Sequence, residues 1–365
     1  MEPKFSSEIS SVGKVLQKFF CFTPILLLIF LTNYFVDPAF LYHGDGYAQR
    51  VARILTSGHN VGWVDCDERL VQKYYINDLK ASPDVLILGS SRSMQIGEDV
   101  FHGLKTVNSS VSEDLLADDL GILQIYDEKG ILPKVLILEA SPWMLNAQFS
   151  RKKYQSIYPD IWVMSQKLGV RDGWISKPVS PQYINMFSLS YFQSAVSLAL
   201  EQRHDHKDKF FVTDETAGDY RIKLHDGSLS WPTQMLVAKT DEQIGRAATQ
   251  MLSENRKDYE FHLDNARMDI MDKLIGYLQK KGVDVVIFLP PYPEETYKQF
   301  LLNPKMRSVF DAEVYFRSLA HKYHLKVAGS YNPLMYGFKD ADFLDGIHAR
   351  KEALGRLFKE ENVIK

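Results

Sequence analysis

Cysteine is nearly missing from this chain of 365 residues, and the two it has, Cys21 and Cys66, rule out a disulfide framework, because the first falls inside an apolar run. An oxidising compartment stays open all the same, since a protein there can do without cysteine. A dominant charge is missing too. With 43 basic and 46 acidic side chains the net charge is -3, which offers no bulk attraction to nucleic acid. There is no Walker motif, dinucleotide fingerprint, His-Glu-x-x-His helix or Cys-x-x-Cys pair, so no cofactor or metal is expected. Repeats and low-complexity tails are also lacking. What is present is an apolar content of 45%, enough for one large domain or two small ones.

Residues 1–18 are polar and carry Lys4, Lys14 and Lys18. Phe19 to Val36 then reads FFCFTPILLLIFLTNYFV without a charge, close to the ~20 residues that span a bilayer. No small-x-small cleavage site follows, so an anchor is expected rather than a removed signal peptide. Lysines before the span and Asp37 after it put the amino terminus in the cytoplasm and residues 37–365 outside. Residues 37–83 read as a linker with lead-in helices over Tyr47 to Leu55 and Leu70 to Leu79.

The rest alternates strand and helix signals. Apolar runs inside 85–89, 134–139 and 283–289 are what strands buried on both faces look like, and shorter strands are expected near 105–108 and 326–329. Helical spacing over 115–129, 258–281 and 306–323 fills the gaps. This pattern predicts an α/β fold with a five-stranded parallel sheet and right-handed crossovers. Residues 147–255 break the rhythm and are expected outside that sheet, as a lid, a glycan-binding wall or a small accessory core around Trp162, Trp174 and Trp231. His204 and His206 read as a solvated loop, since no further Cys or His completes a metal site.

Two short stretches carry the chemistry. Asp84-Val-Leu-Ile-Leu-Gly-Ser-Ser-Arg-Ser93 ends a buried strand in serines, at the sheet edge where α/β proteins bind ligands. Far downstream, Phe343-Leu-Asp-Gly-Ile-His348 supplies an acid and a histidine. A serine hydroxyl needs a base held against it and a third group to orient that base, and Asp345 and His348 fill both roles for Ser91. The plainer alternatives are Gly-Ser-Ser as turn chemistry and Asp-x-x-His as a backbone cap.

These residues resemble the blocks of the SGNH/GDSL hydrolase superfamily, in its membrane-anchored branch. Gly89-Ser90-Ser91 is similar to its Gly-Asp-Ser block, and Asp345-Gly-Ile-His348 to its last block, in the chain order Ser, Asp, His. Val107-Asn-Ser-Ser-Val-Ser-Glu-Asp114 resembles the second block, with Glu113 where an oxyanion-hole glycine usually stands. The third block departs: Leu138-Glu-Ala-Ser-Pro-Trp-Met-Leu-Asn146 has no asparagine in register. Similar departures mark the alginate O-acetylation proteins and the D-alanyl transfer protein of teichoic acid synthesis. The resemblance covers residues 84–146 and 283–348. With the strand spacing it implies a flavodoxin-like three-layer sandwich whose parallel strands run in the order 2-1-3-4-5. It implies Ser91, His348 and Asp345 as catalytic residues and backbone N–H groups of Ser91 and Glu113 as oxyanion donors. In that family a similar proline-rich loop borders the active site, so Tyr292 in Pro290-Pro-Tyr-Pro293 is a candidate to line the substrate pocket, with packing as its default reading. Arg92 beside the nucleophile is a second substrate-binding candidate.

Two functions are expected from this. One is a serine esterase or acyltransferase in a bacterial plasma membrane, facing outward and acting on a cell-surface or exported polysaccharide. The other is a silent relative that binds glycan or scaffolds a membrane-bound acyltransferase. Nucleic acid is not among the expected partners.

Overall fold

The computed structural model describes residues 22–37, 42, 44–62, 66–149, 153–171, 173–177, 186–204, 210–361 and 363. The expected cytoplasmic residues 1–18, the first three residues of the expected span 19–36, and His206 lie outside them. The described residues form two compact units, one from Met1–Tyr47 with Pro178–Asp208 and one from Ala48–Lys177 with Lys209–Lys365.

In the first unit residues 22–36 are one unbroken helix, and a second helix runs Leu189–His204. The buried Asn33 amide donates to the carbonyls of Met186 and Ser188 (3.0 and 3.1 Å), and the Tyr191 hydroxyl donates to Asp37 (2.6 Å). Phe22, Ile25, Leu28 and Phe35 stay exposed. Among the described residues no helix is long and apolar enough to cross a membrane.

The second unit holds two sheets, built from strands β1 (Asn60–Gly62), β2 (Val85–Leu88), β3 (Thr106–Asn108), β4 (Val135–Glu139), β5 (Phe211–Thr213), β6 (Ile222–Lys223), β7 (Leu229–Ser230), β8 (Asp284–Leu289) and β9 (Lys326–Gly329). The larger is parallel throughout, in the order β3-β2-β4-β8-β9, which is the expected 2-1-3-4-5. Alternate side chains Val85, Ile87, Ile137, Val286, Phe288 and Ala328 pack with Ala353, Leu354, Leu357 and Phe358 of the helix Lys351–Glu360. The intervening Leu86, Leu88, Leu136, Leu138, Val285 and Ile287 are equally buried and point the other way, toward the layer containing Asn265–Lys280 and Ser308–Tyr323. Burial on both faces explains why these strands are unbroken apolar runs.

Three expectations need correction. The stretch 37–83 holds a strand as well as helices: β1 pairs antiparallel with β5 and β6, and β7 completes a four-stranded sheet. The accessory core expected of 147–255 is therefore a sheet whose second strand comes from before the serine. The helix expected over 258–281 is split into Arg256–Tyr259 and Asn265–Lys280, because the Asp264 carboxylate caps the second by accepting from the Arg267 N–H (2.9 Å).

Candidate active site

β2 delivers the chain to the sheet's carboxyl edge at Gly89, where no side chain fits. A Cβ there would lie 2.3 Å from the Glu139 Cβ and 2.8 Å from the Ser93 hydroxyl. The space is taken because Glu139, closing the neighbouring β4, collects the whole serine turn. Its carboxylate accepts from the Ser90 N–H (2.8 Å), the Ser90 hydroxyl (2.6 Å), the Ser141 hydroxyl (2.5 Å) and the Ser93 hydroxyl. Such saturation is what a buried carboxylate requires. It also separates the two serines: the Ser90 hydroxyl is spent inside, while Ser91 is left at the rim. Asn108, at the end of β3, ties the same turn from the other side by donating to the carbonyls of Ser93 and Ile96, both at 2.8 Å.

The second component is a tight hairpin. Phe343 and Ala349 form an isolated antiparallel bridge, and the Leu344 N–H donates to the His348 carbonyl (2.8 Å). Within it one oxygen of Asp345 accepts from the N–H groups of Ile347 and His348, each at 2.9 Å. The carboxylate therefore does cap its own turn, and it also faces the imidazole, with Nδ1 2.8 Å from Oδ2 and 3.0 Å from Oδ1. Burial pushes the Asp345 carboxyl up, but the His348 charge and the hydrogen bonds from His348 and Ile347 outweigh it and hold the group well below the usual carboxylate range. An ionised carboxylate only accepts, so Nδ1 carries the hydrogen, and in the neutral imidazole Nε2 then presents its lone pair. The Ser91 hydroxyl lies 2.8 Å from Nε2 and donates to it. Serine, imidazole and carboxylate form one continuous hydrogen-bonded chain.

They open onto a cavity of about 410 Å³, within the range of small-ligand sites. One wall is the triad. The other comes from Ala247, Gln250, Met251 and Glu254 of the helix Asp241–Glu254, with Trp143, Phe149 and Tyr259 between. That helix belongs to the 147–255 insertion, and it lies hard against the triad hairpin: a Cβ on Gly346 would come within 2.7 Å of the Ala248 Cα and 2.8 Å of the Ala247 carbonyl oxygen. Burial and the neighbouring Tyr292 keep the Tyr259 phenol neutral far above its ordinary range, so it serves as a wall and a hydroxyl rather than a base.

Ser91 and Glu113 both line the cavity, as oxyanion donors must. Glu113 has φ +55°, in the left-handed region that favours glycine. A non-glycine residue there is strained by roughly 1 kcal/mol, and such strain clusters at functional sites. Its carboxylate turns to Lys153 (3.1 Å). The segment 138–146 sends no side-chain amide into the cavity: Ser141 is bonded to Glu139, and the buried Asn146 donates to the Lys257 carbonyl (3.4 Å).

The substrate contacts considered for Arg92 and Tyr292 are corrected, and for Tyr292 the default reading, packing, is the one the structure shows. Both are buried and neither lines the cavity. The Arg92 guanidinium donates to the carbonyls of Pro290 (2.7 Å) and Pro291 (2.9 Å) and stacks 3.9 Å over the Tyr292 ring, pinning the proline loop to the serine turn. Burial raises the Tyr292 phenol to about 12 against the pull of the Arg92 charge. The apolar surroundings make these two a packing unit. Sequence reasoning gave no role to Glu139, Trp143, Gly346 or Tyr259. Glu139 had a legible signal, an ionisable residue ending a strand buried on both faces. The others are brought in by tertiary contacts alone.

Among the described residues no group of three or more His, Cys, Asp or Glu side chains is placed to hold a metal ion. Comparison with known protein families and with curated proteins finds no match for this chain.

Proposed function

We propose that this chain is a serine acyl enzyme of the SGNH/GDSL type, held in a bacterial plasma membrane by residues 19–36. It forms or cleaves O-acyl esters on an exported or cell-surface polysaccharide. The observation that carries the reading is the unbroken path from Ser91 Oγ through His348 to Asp345, with its serine end at the mouth of a cavity. In the first half-reaction the Ser91 oxygen attacks the ester carbonyl while Nε2 takes its proton. The tetrahedral oxyanion meets the N–H groups of Ser91 and Glu113, and collapse breaks the ester C–O bond as His348 returns the proton to the leaving alcohol. In the second half-reaction an acceptor hydroxyl, from water or a sugar, loses its proton to His348 and attacks the acyl-Ser91 carbon, and the serine leaves with that proton. Asp345 stays ionised throughout and steadies the imidazolium. The aromatic wall of Trp143, Phe149 and Tyr259 suits the apolar face of a sugar ring, and the uncharged sequence Phe19 to Val36 suits a membrane anchor.

One observation favours a second reading. With Ser141 engaged by Glu139, the third block offers no side-chain donor to the oxyanion, a loss of about a hundredfold or more in rate at comparable sites. A silent glycan-binding partner of a membrane-bound acyltransferase would tolerate that loss. Turnover of 4-nitrophenyl acetate by the detergent-solubilised full chain, with an acyl-enzyme burst, separates the two. The proposal expects a burst that Ser91→Ala, His348→Ala and Asp345→Ala each abolish in folded protein. Equal turnover by all four proteins would discard it.

A further inference from the structure

We propose that Trp231 is a positioning residue for His348, through which the antiparallel sheet holds the base in register with Ser91. This rests on the acyl-transfer reading above. Trp231 follows β7 and is 6% exposed. It packs among Met94, Leu229 and Leu344, with its ring 5.5 Å from the imidazole of His348 and the two planes 52° apart. Met94 belongs to the turn that carries Ser91, and Leu344 precedes Asp345. The indole is thus a wedge between the two loops whose separation decides whether Ser91 and His348 meet. The Leu229 N–H fixes the first contact by donating to the Met94 carbonyl (2.8 Å).

The segment after Trp231 grips the hairpin on both sides. Lys239 Nζ donates to the Leu344 carbonyl (2.5 Å), and Arg350 donates to the carbonyls of Leu236 (2.7 Å) and Val237 (3.0 Å). Asp345 holds the imidazole at Nδ1 alone, which leaves the ring able to pivot about that bond and swing Nε2 away from the serine. A flat group against the ring removes that freedom. A displacement of about 1 Å would break the contact with Ser91 and is enough to cost about a hundredfold in a positioned reaction. Among the described residues the buried Trp231 N–H has no hydrogen-bond partner, so the site uses the ring and not the donor. Phenylalanine therefore substitutes without leaving an unpaired polar group.

The test uses the full chain in detergent with Trp231→Ala, Trp231→Phe and His348→Gln. Trp231→Ala is expected to lower kcat for 4-nitrophenyl acetate by about tenfold or more with KM within about twofold, while Trp231→Phe stays within about threefold of wild type. Protonated imidazole in contact quenches indole fluorescence, so wild type should show an acid-side quenching step that His348→Gln and Trp231→Phe both lack. Wild-type kcat in Trp231→Ala, or a Trp231→Phe variant as slow as alanine though equally stable, overturns the assignment. So does a quenching step that survives both substitutions. If wild type does not turn over the ester, the acyl-transfer reading falls, and the quenching step still decides whether Trp231 lies on His348.

Discussion

The two loops that meet at the cavity rim are held in opposite ways. The Ser90–Ser93 turn is bonded to a carboxylate on the adjacent strand of its own sheet, and its anchors Glu139 and Asn108 lie at the ends of neighbouring parallel strands. The hairpin 343–349 hangs on side chains from elsewhere: Trp231, Lys239, the backbone of Asp241–Glu254, and Thr296, whose hydroxyl donates to the Gly346 carbonyl (2.8 Å). The nucleophile is therefore preorganised by the fold, and the base by accessory structure. Damage to the first should appear as lost stability. Damage to the second should appear as lost turnover in a protein that still folds.

The largest effect that would sharpen this contrast is Glu139→Ala, which strands three serine hydroxyls and an N–H in the interior. We expect it to destabilise the protein by about 3–5 kcal/mol in denaturant unfolding. Glu139→Gln keeps the shape and should cost less. A Glu139→Ala protein as stable as wild type would break the comparison. On the other loop, Gly346→Ala forces a methyl against helix backbone that cannot yield, so about 1–3 kcal/mol is expected with a disproportionate loss of turnover. Gly355→Ala, with nothing within 4 Å of the added methyl and a helical setting, should be neutral or stabilising by up to about 1 kcal/mol. Equal behaviour of the two glycine variants in melting and in turnover would remove the close approach at Gly346 from the account.

The same contrast explains what the sequence disclosed. The parallel sheet was legible because strands buried on both faces read as apolar runs, which Val85–Leu88, Val135–Glu139 and Asp284–Leu289 are apart from the charged Glu139 and Asp284 at their ends. Its strand order came from the strand–helix spacing together with the family resemblance. The nucleophile turn inherited its place from the strand before it. The antiparallel sheet was hidden because its strands are two or three residues long, too short for alternation to register, and Asn60–Gly62 pairs with Phe211–Thr213 and Ile222–Lys223, far downstream. Arg92 and Tyr292 misled because a basic residue beside a nucleophile and a tyrosine in a rim loop suggest substrate contact. Neither sequence position tells whether the side chain turns inward.

Smaller effects test the surroundings of the serine turn. Asp119 is wholly buried and among the described residues neither carboxylate oxygen is hydrogen-bonded, and burial, with Asp118 and Glu139 nearby, pushes its carboxyl well above the ordinary range. A raised carboxyl favours the fold at low pH and loses that advantage as pH rises toward the folded-state value. Asp119→Asn should therefore unfold later than wild type at pH 8, by about 1 kcal/mol, and the gap should close toward pH ~4, where the unfolded chain also binds the proton. A gap that widens on acidification contradicts the sign. Least of all, Glu113→Gly should relieve the left-handed backbone at the loss of the Lys153 pair. It should change stability by less than about 1 kcal/mol and leave esterase turnover within a few-fold, since only the N–H serves the oxyanion.

The central claim is that Ser91, activated by His348, forms a covalent acyl-enzyme. Intact-mass and peptide mapping after exposure to a fluorophosphonate tests it most directly. The account predicts a single adduct on Ser91, lost in Ser91→Ala and formed at least about a hundredfold more slowly in His348→Ala. No adduct in folded wild-type protein, or one on another residue that survives Ser91→Ala, would contradict it.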